Sequence, residues 1–470
     1  MMNFVKNIYI RKILNVFFAN IFNFWGSVVI TLFLPKVLTV EDYGEWQYFL
    51  LLFTYIEVCQ GGFAQGIYLR YGGEYFHNLS LGSLKRQILL LLLIITSISS
   101  VCVYYCTFDT CLLGFFVCIP IMGWRCFSDY LLQTVGMTDE YSRLLILDKG
   151  IFVFLIIVAS VFSYSLSSVV IIENFILAKI ISCLFSIYFL KDLVFADSKH
   201  VSFAETIKEL YRNINVGYKL ILSTLCSLLI VGIVRFKIVD VFGKDCYGRI
   251  AIILSVCGFV MVLVNAISVV IFPNLRRGLK DNYANFNIIY ELSYKLFNVC
   301  LIIFLLFAYP FEFIIANFLP KYISSISYLY ILMPIIIFDS NWAIFGSTVL
   351  KLFRKEKYIL KIAIISVLVS VLLCSGLFFS INNLTEYSYI IILTLGFRYI
   401  YTEICIRNIF NINLFRCNLM IIFTVMLYVL VNICFERVLS IIIFSAYVCL
   451  VLVVNRNVAY QAIKFLRVRG

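Results

Sequence analysis

Apolar residues run along almost the whole chain in stretches closed by charged or turn-forming residues. An α-helix rises 1.5 Å per residue and the hydrocarbon core of a bilayer is about 30 Å thick, so about twenty apolar residues make one span. The pattern predicts fourteen such helices, at approximately 13–35, 46–68, 87–107, 111–134, 147–164, 168–190, 215–236, 250–273, 295–318, 326–350, 359–380, 387–405, 418–434 and 438–455. Composition agrees, since 63% of the 470 residues are hydrophobic and 13% charged, against roughly 45–50% and 25% in soluble domains. Surface area limits how much apolar side chain a soluble fold can hide, so the expected class is an all-α integral membrane protein.

Charge then sets the expected orientation. Taken alternately, the loops form two sets, and one of them holds most of the basic residues, among them Lys6, Arg11, Lys12, Lys85, Arg86, Lys191, Lys208, Arg276, Arg277, Lys351, Arg354, Arg407 and Arg456. The other set holds only Lys36, Lys237, Lys244, Arg249, Lys321 and Arg437. The positive-inside rule places both termini in the cytoplasm and requires an even number of spans. The net charge of +13 is therefore read as orientation signal, and nucleic acid is not expected as a partner. Residues Met1 to Lys12 form a short basic lead with no small-residue cleavage site, so the first helix is expected to be retained. The sixteen cysteines are scattered singly on apolar runs without metal-ligand spacing and are expected to pack as small hydrophobes, a bridge between Cys106 and Cys111 near one loop being the minor alternative.

The chain repeats. Leu38-Thr39-Val40-Glu41-Asp42-Tyr43-Gly44 follows the first span, and Phe242-Gly243-Lys244-Asp245-Cys246-Tyr247-Gly248 follows the seventh, 204 residues on. Pro120 and Pro334 are expected to interrupt the fourth and tenth spans at equivalent places. Six helices per half is an even number, so the halves share one orientation and form two parallel six-helix lobes around a central cavity, followed by two C-terminal helices. The expected organisation is an N-terminal lobe over 1–190, a cytoplasmic linker over 191–214, a second lobe over 215–405, and helices thirteen and fourteen with a basic tail over 406–470. In the linker, Ser202 and Glu205 have capping-box spacing and Phe203, Ile207, Leu210 and Ile214 form an apolar stripe, which predicts an amphipathic helix lying on the inner membrane surface. The tail around 458–468 reads the same way.

Charges inside spans carry the candidate chemistry. Each costs about 2.5–3.5 kcal/mol at the bilayer centre, so Glu57, Arg125, Asp129, Glu173, Lys179, Asp339 and Arg398 must mostly face one another or a wet cavity. Arg125 and Asp339 each lie five residues beyond a proline of the repeat, and interrupted helices at matching positions mark transport sites. They are expected to line the cavity, Arg125 gripping an anionic head group and Asp339 pairing with it or taking a proton. Asp129, one turn from Arg125, offers a purely structural partner. Lys179 and Arg398 could add positive charge to the cavity or snorkel to the interface. Arg70 at the inner end of the second span could contact a phosphate or follow the inside bias. Asp339, Glu57 and Glu173 are the candidates for a coupling ion.

Catalytic machinery is not legible. His77 and His200 have no metal-binding neighbours at ligand spacing, and no phosphate-binding glycine loop is present, so no enzyme, ATP use, metal or cofactor is expected. Asn78-Leu79-Ser80 and Asn383-Leu384-Thr385 match the glycosylation pattern but fall on opposite sides of the expected topology.

The stretch from Pro35 to Gly72, with Leu38, Glu41-Asp42-Tyr43-Gly44, Gly62, Gly66 and Arg70-Tyr71-Gly72, resembles the opening of the O-antigen flippases (Wzx), polysaccharide-type transporters of the multidrug/oligosaccharidyl-lipid/polysaccharide exporter superfamily. The helix count, the two halves and the second Tyr-Gly extend the resemblance over nearly the whole chain. One departure stands out: where family members often carry Asp-Arg late in the seventh helix, this chain has Val234-Arg235. The resemblance implies translocation of an undecaprenyl-diphosphate-linked oligosaccharide from the cytoplasmic to the periplasmic leaflet of a bacterial inner membrane. It further implies alternating access driven by a proton or sodium gradient, a monomer in contact with membrane lipids, and polymerase and chain-length proteins of the same pathway as partners. Two alternatives from other classes are an O-antigen polymerase-type glycosyltransferase, which would need a large periplasmic loop, and a multidrug or cation antiporter, which would favour an acidic cavity.

Overall fold

A computed structural model describes the backbone of residues 2–106, 109–162, 166–197, 202–281, 283–353, 355–376, 383–410, 412 and 414–456, and the side chains of these other than 2–17, 260, 263–286, 288 and 356. The chain packs as two compact units, Met1–Leu228 and Leu229–Gly470. The first contains α1 (Met2–Val37), α2 (Val40–Phe53), α3 (Phe63–Tyr71), α4 (Leu81–Tyr105), α5 (Thr110–Thr134), α6 (Thr138–Phe162), α7 (Ser168–Phe189) and α8 (Lys191–Val194). Helix α9 (Phe203–Asp281) begins in the first unit and ends in the second. The second unit continues with α10 (Tyr283–Phe304), α11 (Ala308–Phe318), α12 (Ile326–Leu332), α13 (Ile335–Asn341), α14 (Thr348–Leu352), α15 (Glu356–Cys374), α16 (Leu384–Phe410), α17 (Phe415–Cys434) and α18 (Arg437–Val454).

Among the described residues eleven helices are long and apolar enough to cross a membrane. The three remaining predicted spans are those that are broken or merged. The second is split into α2 and α3, and the seventh and eighth are the two arms of α9, which meet at Gly243 (φ 85°, ψ 173°), its one non-helical residue. Large hydrophobes lie exposed along these helices, among them Leu93, Phe154, Phe162, Met426 and Val454. A soluble surface carries such residues singly or in small patches, whereas a lipid-facing one is made of them. The chain is a multi-pass membrane protein.

Local signals set the helix starts. Thr39 accepts a hydrogen bond from the Asp42 amide at the start of α2, Asp109 from Cys111 and Leu112 at the start of α5, and Ser167 from Val170 at the start of α7. Both tyrosines of the repeated Tyr-Gly are buried, Tyr43 at 0% and Tyr247 at 2% exposure. Aromatic rings fill the core of the first unit, where Trp46 lies 5.6 Å from Phe152 and 5.5 Å from Phe175. In the second unit Phe345 packs against Tyr290, Tyr294 and Phe297 at 4.9–5.6 Å.

Three expectations need correction. Pro120 does not interrupt its helix, because the Phe116 carbonyl, left without its amide partner by the proline, accepts a hydrogen bond from Ser99 of α4. The break in the first unit lies instead at Gly61 and Gly62 (φ 60° and 92°), between α2 and α3. Pro334 does fall at a break, between α12 and α13, and a π-helical turn follows at Trp342–Ser347.

The fifth span starts earlier than predicted, at Thr138 rather than 147, because Asp139 and Glu140 supply the acidic first turn that favours a helix N-terminus. The linker stripe also divides differently: Thr206, Leu210, Asn213 and Gly217 face the protein, while Phe203 and Ile207 are exposed. The register is set by close approach of α9 to α3 across Gly66 and Gly217. The amphipathic tail expected around 458–468 lies outside the described residues.

Candidate functional site

In the first unit, the interior charges converge on α5, α6 and α7. Arg125 sits at the middle of α5, only 2% exposed. Its Nε donates to Ser182 Oγ of α7 at 3.2 Å, and its guanidinium forms an ion pair with Asp129 one turn later. Trp124 beside it donates to Ser186 Oγ at 2.9 Å, so α5 and α7 are joined by two polar contacts. Lys179 of α7 pairs with Asp148 of α6 and lies over the Phe175 ring at 4.9 Å. The two pairs are near enough that Asp148 and Lys179 both act on Asp129. Glu57, in the turn between α2 and α3, accepts from Tyr130 Oη of α5 at 2.6 Å and from Gln65 Nε2 at 2.5 Å.

In the second unit, Asp339 of α13 pairs with Arg398 of α16, which is 4% exposed and stacks over the Trp342 ring at 5.2 Å. Asp339 lies five residues beyond the break at Pro334, on a helix that packs against α16. The Nε of Arg398 is buried without a hydrogen-bond partner. Arg235, the residue kept from the Asp-Arg pair of the flippase pattern where Val234 replaces the Asp, lies against Tyr247 of the repeated Tyr-Gly.

Arg125 has the partner one turn away that the sequence offered as the structural alternative, and Asp339 has one in Arg398. Each closes an ion pair inside its own unit, Arg125 with Asp129 and Asp339 with Arg398, because each has an opposite charge within reach and a charge left unmatched in a membrane interior is costly. Lys179 and Arg398 are drawn inward to partners and do not snorkel. Arg70 is held by Glu209 at 2.9 Å and Asn213 at 2.7 Å, tying α3 to α9. Glu173 stands apart, exposed on α7.

Three groups went unread in the sequence. Asp148 and Lys149 were placed at the edge of a span, whereas α6 begins at Thr138 and carries them to its middle. Glu403 lies in α16, which continues past it to Phe410, and is 8% exposed. Glu312 of α11 receives Tyr330 and pairs with Arg437 at 2.9 Å. Among the described residues no group of three His, Cys, Asp or Glu side chains is placed to hold a metal ion.

Each unit holds interior basic residues between long helices, and the comparison with solved structures bears on the fold directly. Lipid II flippase MurJ, in an inward closed conformation, superposes with a TM-score of 0.65 at 12% identity, over 97% of this chain and 99% of that one. The fold is that of MurJ, end to end. An inward-facing multidrug resistance MATE family transporter of the MOP superfamily superposes with a TM-score of 0.57 at 12% identity, over 87% of this chain and 95% of that one. Its outward-facing form gives 0.55 at 12% identity, over 84% and 93%. No family model and no curated relative matches the chain. The MurJ and MATE likenesses establish architecture, a bundle of long membrane helices, and the chemistry must come from the side chains.

Proposed function

We propose that the chain is a flippase that moves a lipid-linked oligosaccharide carrying a diphosphate across a bacterial inner membrane, from the cytoplasmic to the periplasmic leaflet. The observation that carries this reading is the set of basic side chains buried inside a MurJ-like bundle: Arg125 and Arg398 at 2% and 4% exposure, and Lys179 beside the first. Each is matched by a single carboxylate whose side chain is a quarter exposed, as in Asp129 and Asp339. A guanidinium so placed can exchange a carboxylate for a phosphate at small cost, because both present paired oxygens to the same planar fork.

Transport by alternating access of two lobes, with the lipid tail left in the bilayer, is the mode this reading implies, and the two-unit chain and the repeated Tyr-Gly support it. A cation gradient supplies the drive in this reading, and Glu57 and Asp339 are the carboxylates first named for it. The exposed position of Glu173 argues against that residue. Positive-inside bias supports cytoplasmic termini.

A second reading, export of organic cations, is favoured by the MATE likeness and by the carboxylates Glu57 and Glu403. The two separate in a strain deleted for this gene. The flippase reading expects loss of surface polysaccharide with lipid-linked repeat units trapped on the cytoplasmic side, restored by the wild-type chain and not by Arg125→Ala. The antiporter reading expects intact polysaccharide and sensitivity to cationic drugs.

A further inference from the structure

The buried basic residues described above each have a carboxylate partner, and Glu312 has Arg437. Glu403 differs. It is 8% exposed in α16, and among the described residues no Lys, Arg or His pairs with it. Its Oε2 accepts a hydrogen bond from Asn418 Nδ2 of α17 at 3.1 Å, a neutral donor. Asn418 is in turn held by two tyrosines, Tyr294 of α10 and Tyr399 of α16, whose hydroxyls lie 2.8 and 2.9 Å from its Oδ1.

Those two hydroxyls also lie 2.8 Å from each other. Three oxygens thus make three hydrogen-bond contacts, and the two hydroxyls carry only two protons between them, since an amide oxygen brings none. The Glu403 carboxyl is also in hydrogen-bond reach of the Tyr294 hydroxyl, so a proton on it adds the donor that these contacts lack. Both tyrosines are at 2% exposure or less.

An ionised carboxylate within a membrane helix costs about 2.5–3.5 kcal/mol at the bilayer centre, and two neutral donors, the Asn418 amide and the Tyr294 hydroxyl, do not neutralise it. Protonation does. The charged groups around it do not alter this: Glu291 and Lys295 of α10 pair with each other, Arg398 of α16 is taken by Asp339 of α13, and Arg407 of α16, Arg416 of α17 and Lys361 of α15 are exposed. Buried Tyr290 and Cys417 complete the surroundings without a positive charge.

We propose that Glu403, with Asn418, Tyr294 and Tyr399, forms a proton-binding site in the second unit, at which a proton gradient acts on the transporter. The second half of that statement rests on the transport reading above. An amide N–H aimed at the carboxyl repels a metal cation and tolerates a proton, which favours H+ over Na+ as the occupant. Exposure of the site to one side of the membrane and then the other would let the carboxyl load and release its proton with the conformation.

Infrared difference spectra of the purified full-length protein, taken between about pH 5 and about pH 9, test this without a transported substrate. The expected result is a protonated-carboxyl C=O band that fades as pH rises, whose amplitude drops in Glu403→Gln and returns at a shifted frequency in Glu403→Asp. Tyr399→Phe, which removes one hydroxyl from the cluster, is expected to move the midpoint. Identical bands in wild type and Glu403→Gln would overturn the proposal, as would loss of the wild-type band on adding sodium chloride, but not potassium chloride, at fixed pH. If Glu403→Gln does not fold, unshifted titrations in both Glu403→Asp and Tyr399→Phe overturn it equally. A negative spectrum leaves the flippase reading standing, and intact polysaccharide in the deletion strain leaves a positive spectrum standing.

Discussion

Gly66 of α3 and Asn213 of α9 approach so closely that a Cβ added to the glycine would lie 1.9 Å from the Asn213 carbonyl oxygen. The same crossing brings a Cβ on Gly217 to 2.0 Å from the Gly62 carbonyl oxygen. Backbones in such contact gain dispersion along their length, the means by which membrane helices associate where the hydrophobic effect is absent. Gly66→Ala is expected to push the helices apart and to cost about 1–3 kcal/mol or more. The check is the melting temperature in detergent, with Gly150→Ala as a control that stays unchanged, since its Cβ would meet Phe22 at an ordinary 3.6 Å.

Asp129→Asn leaves Arg125 buried and without its counter-charge, a change that costs about 3–5 kcal/mol when one partner of a buried pair is removed. The double variant Arg125→Met, Asp129→Leu is expected to recover most of that loss, since two apolar groups replace the pair. Thermal melting of the three proteins reads the outcome, and equal melting of Asp129→Asn and wild type would show that the pair is not needed for stability. The double variant, though stable, is expected to lose transport in the polysaccharide complementation assay.

Asp339 and Arg398 come from different helices, so their pairing is a tertiary contact. Asp339→Arg alone places like charges together in a buried setting, and Arg398→Asp does the same with the opposite sign. The charge-reversed double variant is expected to restore expression and folding in part, because the Trp342 ring that stacks on Arg398 is lost to the relocated guanidinium. Recovery no better than the worse single variant would show that the two side chains do not interact.

The Arg70 and Glu209 contact supplies a pH dependence. Burial works to raise the Glu209 carboxyl, but the hydrogen bonds from Arg70 and Arg212 outweigh it and leave the group below its ordinary range. A carboxylate with a depressed folded value stabilises the fold above its unfolded value of about 4.3 and loses that contribution as pH falls through the folded value. The melting temperature of Glu209→Gln is therefore expected to fall below that of wild type at neutral pH and to converge with it under acid conditions. A constant difference across the range would remove Glu209 as the cause.

The long membrane-crossing helices and their order were legible because lipid demands long apolar runs. The partners of the interior charges were not. Arg125 and Asp129 could be read from one turn of helix, whereas Lys179 with Asp148 and Arg398 with Asp339 depend on which faces of two helices meet, which periodicity alone does not set. Asp148 was hidden by a span drawn too short at its start and Glu403 by its place near the end of another, so both passed for interfacial charges. Pro120 misled for a different reason, since the side chain that tolerates it, Ser99, comes from a neighbouring helix.

That serine has a mechanical consequence. With the Phe116 carbonyl satisfied from α4, α5 behaves as a stiff rod, and bending in the first unit falls on Gly61 and Gly62, two left-handed residues that act as a swivel in the second span. The second unit keeps its joint in the tenth span, at Pro334. The two units thus carry their helix breaks at different places, so motion in one need not mirror motion in the other.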